Sequence, residues 1–108
     1  MTNISFSRKN GKIIRFRISG HTGKAEAGKD VLCAAISSVA QATALGLTEV
    51  LNLNIYLKID DGFMEVKLNE DHLENEFAQI LLETCMKSLK EIVKNEKKFV
   101  KLEEKNEI

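Results

Sequence analysis

The sequence predicts an α+β fold, a single-domain sandwich in which a mainly antiparallel sheet carries two helices in the order β-β-α-β-β-α-(β). Three observations support this fold class. Four segments alternate between polar and apolar residues, glycine-containing turns join them in pairs, and two long segments repeat apolar residues at helical spacing. Because 108 residues form one hydrophobic core rather than two, we expect residues 1–108 to be one domain.

The beginning of the chain predicts a β-hairpin. Apolar side chains alternate with polar ones in two segments, at Ile4, Phe6, Ile14, Phe16 and Ile18. Between the segments lies Asn10-Gly11, a tight-turn signal because both residues tolerate positive φ. We therefore expect two antiparallel strands joined by this turn.

A glycine-containing loop and a helix follow the hairpin. Three of the six glycines lie in this loop, residues 20–30, namely Gly20, Gly23 and Gly28. This composition fits a flap that folds over a ligand, and equally a plain surface connection. Asp30 is a favoured N-cap residue, so a helix is expected from there to about Val50. Its buried stripe is predicted to be Leu32, Ile36, Val39 and Leu47.

The middle of the chain predicts a second hairpin. Residues 51–59 alternate almost without interruption, which indicates a half-buried strand. Asp60-Asp61-Gly62 then predicts a turn into a further strand around residues 64–68.

A second long helix is expected over residues 72–96, capped by Asn69 or Asp71. A short final strand is expected over residues 99–103. The apolar face of this helix is predicted to comprise Phe77, Ala78, Leu81, Leu82, Cys85, Leu89, Ile92 and Val93.

Composition indicates a cytoplasmic protein. The amino-terminal segment has no apolar core of a signal peptide, and the longest apolar run, residues 31–36, is too short to span a membrane. Only two cysteines are present, so no disulfide framework is expected. We therefore predict reduced thiols and no contact with a membrane.

Charge is unevenly distributed in a chain whose net charge is zero. Residues 1–20 contain five basic residues and no acidic one. A basic hairpin can face RNA or an acidic surface. It can also be a strand face balanced by acidic neighbours, and the lack of aromatic residues for base stacking favours this second interpretation. No direct binding of nucleic acid is expected.

The residues best suited to catalytic chemistry are His21 and Cys33. With Asp30 as N-cap, Cys33 is the third residue of a helix, where the helix dipole and unpaired amides favour a thiolate. His21, at the end of a strand, can stabilise that thiolate as an imidazolium and then protonate a leaving amine. The same helix start offers backbone N–H groups for an oxyanion.

Each of these residues also has an ordinary structural interpretation. A single cysteine on an alanine-rich helix is often a small buried side chain, and a histidine after a strand is often a loop residue. Ser37, one turn after Cys33, can contact the sulfur or substrate, or simply allow close packing. Asp30 can orient His21 as well as cap the helix. One Cys and one His are too few for structural zinc, so no metal or other cofactor is expected.

The string Gly20-His21, followed by Gly28-x-Asp30-Val31-Leu32-Cys33-Ala34-Ala35-x-Ser37, resembles the ribosomal-processing cysteine protease family called Prp. The resemblance extends to chain length and to the order of elements. It implies that His21 and Cys33 form a catalytic dyad in which Cys33 is the nucleophile. Supporting positions would be Gly20, Asp30 and Ser37. Independently of the resemblance, the glycine content of the loop predicts that Gly23 and Gly28 let it open and close over a substrate.

The resemblance also implies a substrate and a state of assembly. The family removes the N-terminal extension of a large-subunit ribosomal protein precursor of the L27 type, and it is cytoplasmic and homodimeric. Thr22 follows the histidine where a small residue is frequent in the family; this departure removes no group that the dyad needs and leaves only the substrate preference open.

Two other functions remain open at this point. A non-catalytic module could bind the ribosomal precursor or the ribosome through the helix N-terminus, and would need neither thiol nor imidazole. A thiol redox protein would need a second cysteine near Cys33, whereas the spacing of Cys85 places it in the core.

Overall fold

The computed structural model of the protein describes residues 1–21 and 30–107. It confirms the predicted α+β class, with five strands and two α-helices built around one hydrophobic core. The elements are β1 (Thr2–Lys9), β2 (Lys12–Ser19), α1 (Val31–Leu45), β3 (Ile55–Asp60), β4 (Phe63–Leu68), α2 (Glu76–Val93) and β5 (Val100–Asn106).

The five strands form one mixed sheet in the order β3-β4-β2-β1-β5. Three of the four pairings are antiparallel, whereas β5 lies parallel to β1. The final strand is longer than the predicted 99–103, because its pairing with β1 continues from Val100 to Asn106. β3 and β5 are therefore the two edges.

Alternation along the strands separates an apolar face from a charged face. Phe6 pairs with Phe16 and Phe16 with Val66, and all three side chains are almost fully buried. The two phenyl rings stack at a centroid distance of 5.4 Å. The helices contribute the rest of this core, with Leu32, Ile36, Ala40 and Ala44 from α1 and Ala78, Leu82, Cys85, Met86, Leu89 and Val93 from α2.

The opposite face carries Arg15 and Arg17 of the hairpin, and an acidic side chain neutralises them. Glu65 accepts from Arg15 at 3.4 Å and from Arg17 at 2.8 Å. Arg8 lies instead on the helix side of the sheet, where it pairs with Glu83 of α2 at 2.6 Å, and its guanidinium holds the pKa of that carboxyl below its ordinary value. These ion pairs support the interpretation of the basic segment as a charge-balanced strand face.

Strand β3 begins later than predicted because the residues before it form hydrogen bonds with the carboxyl-terminal end of the first helix. A single π-helical turn, Gly46–Val50, continues α1. The amides of Leu51 and Leu53 then donate to carbonyls of this turn, and Asn52 adopts a left-handed φ of 55°. The alternation that begins at residue 51 is therefore extended strand only from Ile55 onward.

Helix α2 also begins later than predicted. Asn69 caps a short 3-10 turn, and the cap of α2 is Asn75, whose side chain accepts from the amide of Ala78 at 3.0 Å. With α2 beginning at Glu76, Phe77 points outward and is 66% exposed, so its prediction as a core residue was wrong. Gln79 occupies an inward position instead.

Residues 31–50 are long and apolar enough to cross a membrane by length and composition. A core helix meets the same criterion, and the inward residues of this segment pack against the sheet. This feature alone therefore does not indicate a membrane span.

Gln79 makes three hydrogen bonds, two that join α2 to the first hairpin and one to the segment that precedes α2. Its side chain accepts from the amide of Ile13 at 2.9 Å and donates to the carbonyls of Ile13 and Leu73 at 2.8 and 3.1 Å. The residue is 8% exposed, so water cannot readily replace these bonds.

We predict that Gln79→Ala lowers the free energy of unfolding by about 2–4 kcal/mol, because it leaves buried backbone groups without partners. Urea unfolding followed by circular dichroism measures this change. Gln41→Ala, which removes an exposed glutamine, is the control and should change stability by less than about 0.5 kcal/mol. Equal effects of the two substitutions would contradict the assigned role.

Candidate active site

The predicted site residues that the structure describes line one cleft at the end of the sheet. The cleft has a volume of about 460 Å³ and lies between the start of α1, the end of β2 and the β3–β4 turn. Gly23 and Gly28 lie outside the described residues. The lining includes Gly20, His21, Asp30, Cys33 and Ser37, together with Ile18, Ile36, Gln41, Ile59, Asp60, Asp61, Gly62, Phe63 and Met64.

Asp30 fixes the start of α1 and therefore the position of Cys33. Its backbone is extended, and its carboxylate accepts from the amides of Leu32 at 2.9 Å and Cys33 at 3.2 Å. Cys33 is thus in the first helical turn, as predicted, and is half-buried in the cleft wall.

The hydrogen bonds at the start of α1 occupy backbone amides that were expected to bind an oxyanion. The amides of Leu32 and Cys33 are engaged by the Asp30 carboxylate, and the Ala34 amide donates to the Asp30 carbonyl at 3.1 Å. These three N–H groups are therefore already committed. The expectation that the helix start presents them to an oxyanion is not supported.

His21 follows β2 and enters the cleft from the opposite side. Gly20 precedes it with a φ of 90°, and a side chain there would lie 2.4 Å from the carbonyl oxygen of Met1. Glycine is therefore required at this position for steric reasons. The His21 side chain is 57% exposed.

Among the described residues, the acidic side chain in ion-pair distance of His21 is Asp61. Its Oδ1 lies 3.9 Å from Nε2 of His21. The sequence identified Asp60-Asp61-Gly62 only as a turn, since nothing in the local pattern shows which distant residue a turn will meet. The role of Asp30 as an orienting partner of His21 is not seen, and its capping role is.

Ser37 is exposed in the cleft, one turn after Cys33. Its hydroxyl oxygen accepts from the side-chain amide of Gln41 at 2.7 Å. This exposure argues against a role of Ser37 in close packing.

Apolar side chains form much of the cleft wall, chiefly Ile18, Ile36, Ile59, Phe63 and Met64. Arg17 and Lys58 approach the ring of Phe63, at 5.9 and 5.8 Å from its centroid. The cleft therefore combines an apolar wall with charged groups at its rim.

Cys85 lies in the core, as predicted. Burial raises the pKa of its thiol to about 11, although a hydrogen bond with Thr43 acts in the opposite direction. Cys33 and Cys85 do not form a disulfide. In the described parts of the chain, no three His, Cys, Asp or Glu side chains are grouped to hold a metal ion.

Comparison with known proteins identifies a family. The family described as "Cysteine protease Prp" matches residues 1–101. No curated protein matches the chain in sequence.

Solved structures match over nearly the whole chain. SMU.848 from Streptococcus mutans is 25% identical, with a TM-score of 0.86 over 99% of this chain and 96% of its own. The ribosomal processing protease Prp from S. aureus with a covalently linked product peptide is 22% identical, with a TM-score of 0.88 over 96% of this chain and 99% of its own. The same protease with a substrate peptide is 20% identical, with a TM-score of 0.81 and the same coverage.

The two thiols should differ in reactivity. In folded protein at pH 8, iodoacetamide should modify Cys33 and leave Cys85 unmodified, because a thiol with a pKa of about 11 is only about one part in a thousand thiolate at that pH. Peptide mapping by mass spectrometry measures the extent at each site. Cys33→Ala should be resistant until urea is added, and labelling of Cys85 at a rate similar to that of Cys33 would contradict this prediction.

Proposed function

The chain belongs to the cysteine protease Prp family, and from this premise we propose that it removes the N-terminal extension of a large-subunit ribosomal protein precursor of the L27 type. The observation that carries the proposal is that His21 and Cys33, 12 positions apart in sequence, line the same cleft. Structures of a related protease with bound peptides support a peptide as the ligand.

Cys33 is proposed as the nucleophile. Its sulfur attacks the carbonyl carbon of the scissile peptide bond, and His21 takes the thiol proton. When the C–N bond breaks, His21 transfers that proton to the leaving amine, and a thioester to Cys33 remains. Water, with a proton again accepted by His21, hydrolyses the thioester and restores the thiol.

The position of Cys33 in α1 suits this chemistry. The helix directs the positive end of its dipole toward the cleft, which stabilises the negative charge that develops there. The cleft is open enough for a peptide, and its apolar wall can bury part of the bound chain. Ser37 is proposed to contact the substrate beside the sulfur.

An N-terminal extension can bind as an extended strand, because extended peptides often pair with a sheet edge. Strand β3 is an edge, and its end residues Ile59 and Asp60 line the cleft. Gly23 and Gly28 are proposed to let the loop that carries them open for substrate and close for reaction.

The cellular setting is also proposed from the resemblance. The protein is expected to act in the cytoplasm as a homodimer. Four of the described large apolar side chains, Val31, Val50, Phe77 and Ile80, are each more than 60% exposed, which is consistent with a surface covered in an assembly.

Light scattering coupled to size exclusion should give about twice the mass of one chain, 12.1 kDa. A mass of one chain at micromolar concentration would contradict the homodimer and leave the protease proposal intact.

We predict that the purified protein cleaves a peptide spanning the extension junction of the same organism's ribosomal precursor. Cys33→Ala should abolish cleavage, and His21→Ala should reduce kcat by at least about a hundredfold, the range of general acid–base catalysis. Mass spectrometry of the products identifies the bond that is cut.

Cys85→Ala is the matched control, because it removes the other thiol without changing the cleft. It should keep wild-type kcat, given its place in the core. Binding of the peptide by wild type without any cleavage would favour a binding module instead. Cleavage that survives Cys33→Ala would refute the proposed nucleophile.

A further inference from the structure

The β3–β4 turn, residues 60–62, lies against the His21 ring. The amide of Gly20 donates to the carbonyl of Gly62 at 2.8 Å, which ties the backbone next to His21 to this turn. Gly62 itself lies directly against the imidazole. A side chain at Gly62 would place its Cβ 2.9 Å from Nε2 of His21.

The same turn brings a carboxylate to the same nitrogen. Oδ1 of Asp61 lies 3.9 Å from Nε2, within ion-pair distance but beyond a hydrogen bond. The turn has its own support, since the Asp61 amide donates to the Asp60 carboxylate at 3.2 Å. Asp30, another acid that lines the cleft, uses its carboxylate to cap the helix.

We propose that this turn is the positioning device for His21, with Gly62 supporting the ring and Asp61 serving as the acidic partner of Nε2. The inference rests on the proposed His21–Cys33 dyad. It assigns the two ring nitrogens: Nε2 to Asp61, and therefore Nδ1 to the sulfur and the leaving amine. On substrate binding, a movement of the turn toward His21 by about 1 Å would bring the Asp61 oxygen into hydrogen-bond range of Nε2, since catalytic hydrogen bonds are often long in the absence of substrate.

The two parts of the device act differently. Gly62 limits how far the ring can move toward the turn, because the imidazole already lies directly against this residue. Asp61 is 99% exposed, so its attraction for His21 in the unliganded protein is weakened by solvent. A substrate that covers the turn excludes that water and strengthens the pair.

The support from Gly62 is tested by two matched substitutions. Gly62→Ala and Gly11→Ala both place a side chain at a positive φ, 66° and 80°, in a tight turn between two strands. At Gly11 nothing lies within 4 Å of the added Cβ, whereas at Gly62 it meets the His21 ring. Both variants should lose similar thermal stability.

Only Gly62→Ala should lose activity, with kcat reduced by about tenfold to a hundredfold, since ångström-scale misplacement of a reacting group has effects of that size. KM should change little. Wild-type kcat in a folded Gly62→Ala variant would overturn the support assigned to Gly62, as would an equal loss of activity in Gly11→Ala.

The role of Asp61 is tested by removal and by rescue. Asp61→Ala should lower kcat by about threefold to tenfold with KM nearly unchanged, a size set by the modest strength of exposed ion pairs. Asp61→Glu, which keeps the carboxylate, should recover at least half of the lost rate. Asp71→Ala removes another exposed aspartate outside the cleft and should behave as wild type. A wild-type kcat in Asp61→Ala, or no rescue by glutamate, would overturn the role of Asp61.

A spectroscopic measurement separates this inference from the proposed function. The chain has two histidines, so nitrogen-15 spectra of the rings are simple to assign. Neutral His21 should carry its proton on Nε2, facing Asp61, and Asp61→Ala should increase the Nδ1–H tautomer. An unchanged tautomer would overturn the pairing even if the dyad cleaves. Retained cleavage in His21→Ala would refute the dyad whatever the tautomer shows.

Discussion

The cap that Asp30 places on helix α1 is the interaction on which the site depends. By accepting from two amides of the first turn, the buried carboxylate determines at which residue the helix begins. A start one residue earlier or later would rotate Cys33 by about 100° around the helix axis, away from the cleft. The same bonds occupy amides that could otherwise donate to an oxyanion. The helix start therefore stabilises negative charge in the cleft mainly through its dipole.

A second constraint acts from the sheet. His21 reaches the cleft because β2 ends beside the β3–β4 turn, and the hydrogen bond from Gly20 to Gly62 holds these segments together. Both glycines have positive φ, and a side chain at either position would meet a neighbouring group. The cleft is thus assembled from a helix start, a strand end and a turn. The antiparallel β2–β4 and β3–β4 pairings bring the strand end and the turn to the same end of the sheet.

Most of the fold could be predicted from local pattern. The alternation at Ile4, Phe6 and Ile14–Ile18, the Asn10-Gly11 turn and the Asp30 cap are each determined by neighbouring residues, and each is found in the structure. The errors lie where a distant partner decides. The strand after α1 begins only at Ile55 because preceding amides bond to the π-helical turn, and α2 turns Gln79 inward because the first hairpin offers it partners.

In the site, too, local sequence identifies some residues, whereas others depend on distant contacts. Cys33 and His21 could be singled out from sequence because their residue types and flanking signals carry chemical meaning. Asp61 and Gly62 could not, because only the register between β2 and β4 brings their turn against His21. The parallel pairing of β5 with β1 likewise depends on a long crossover that no local pattern reveals.

The most direct test of the central claim, that the Cys33 sulfur attacks a peptide carbonyl, is intact-mass spectrometry of an acid-quenched reaction with the extension-junction peptide. The expected result is a transient adduct whose mass equals the acyl fragment amino-terminal to the cut, located on Cys33 and absent from Cys33→Ala. Product release with no adduct on Cys33 under any quench time, or an adduct located on Cys85, would contradict it.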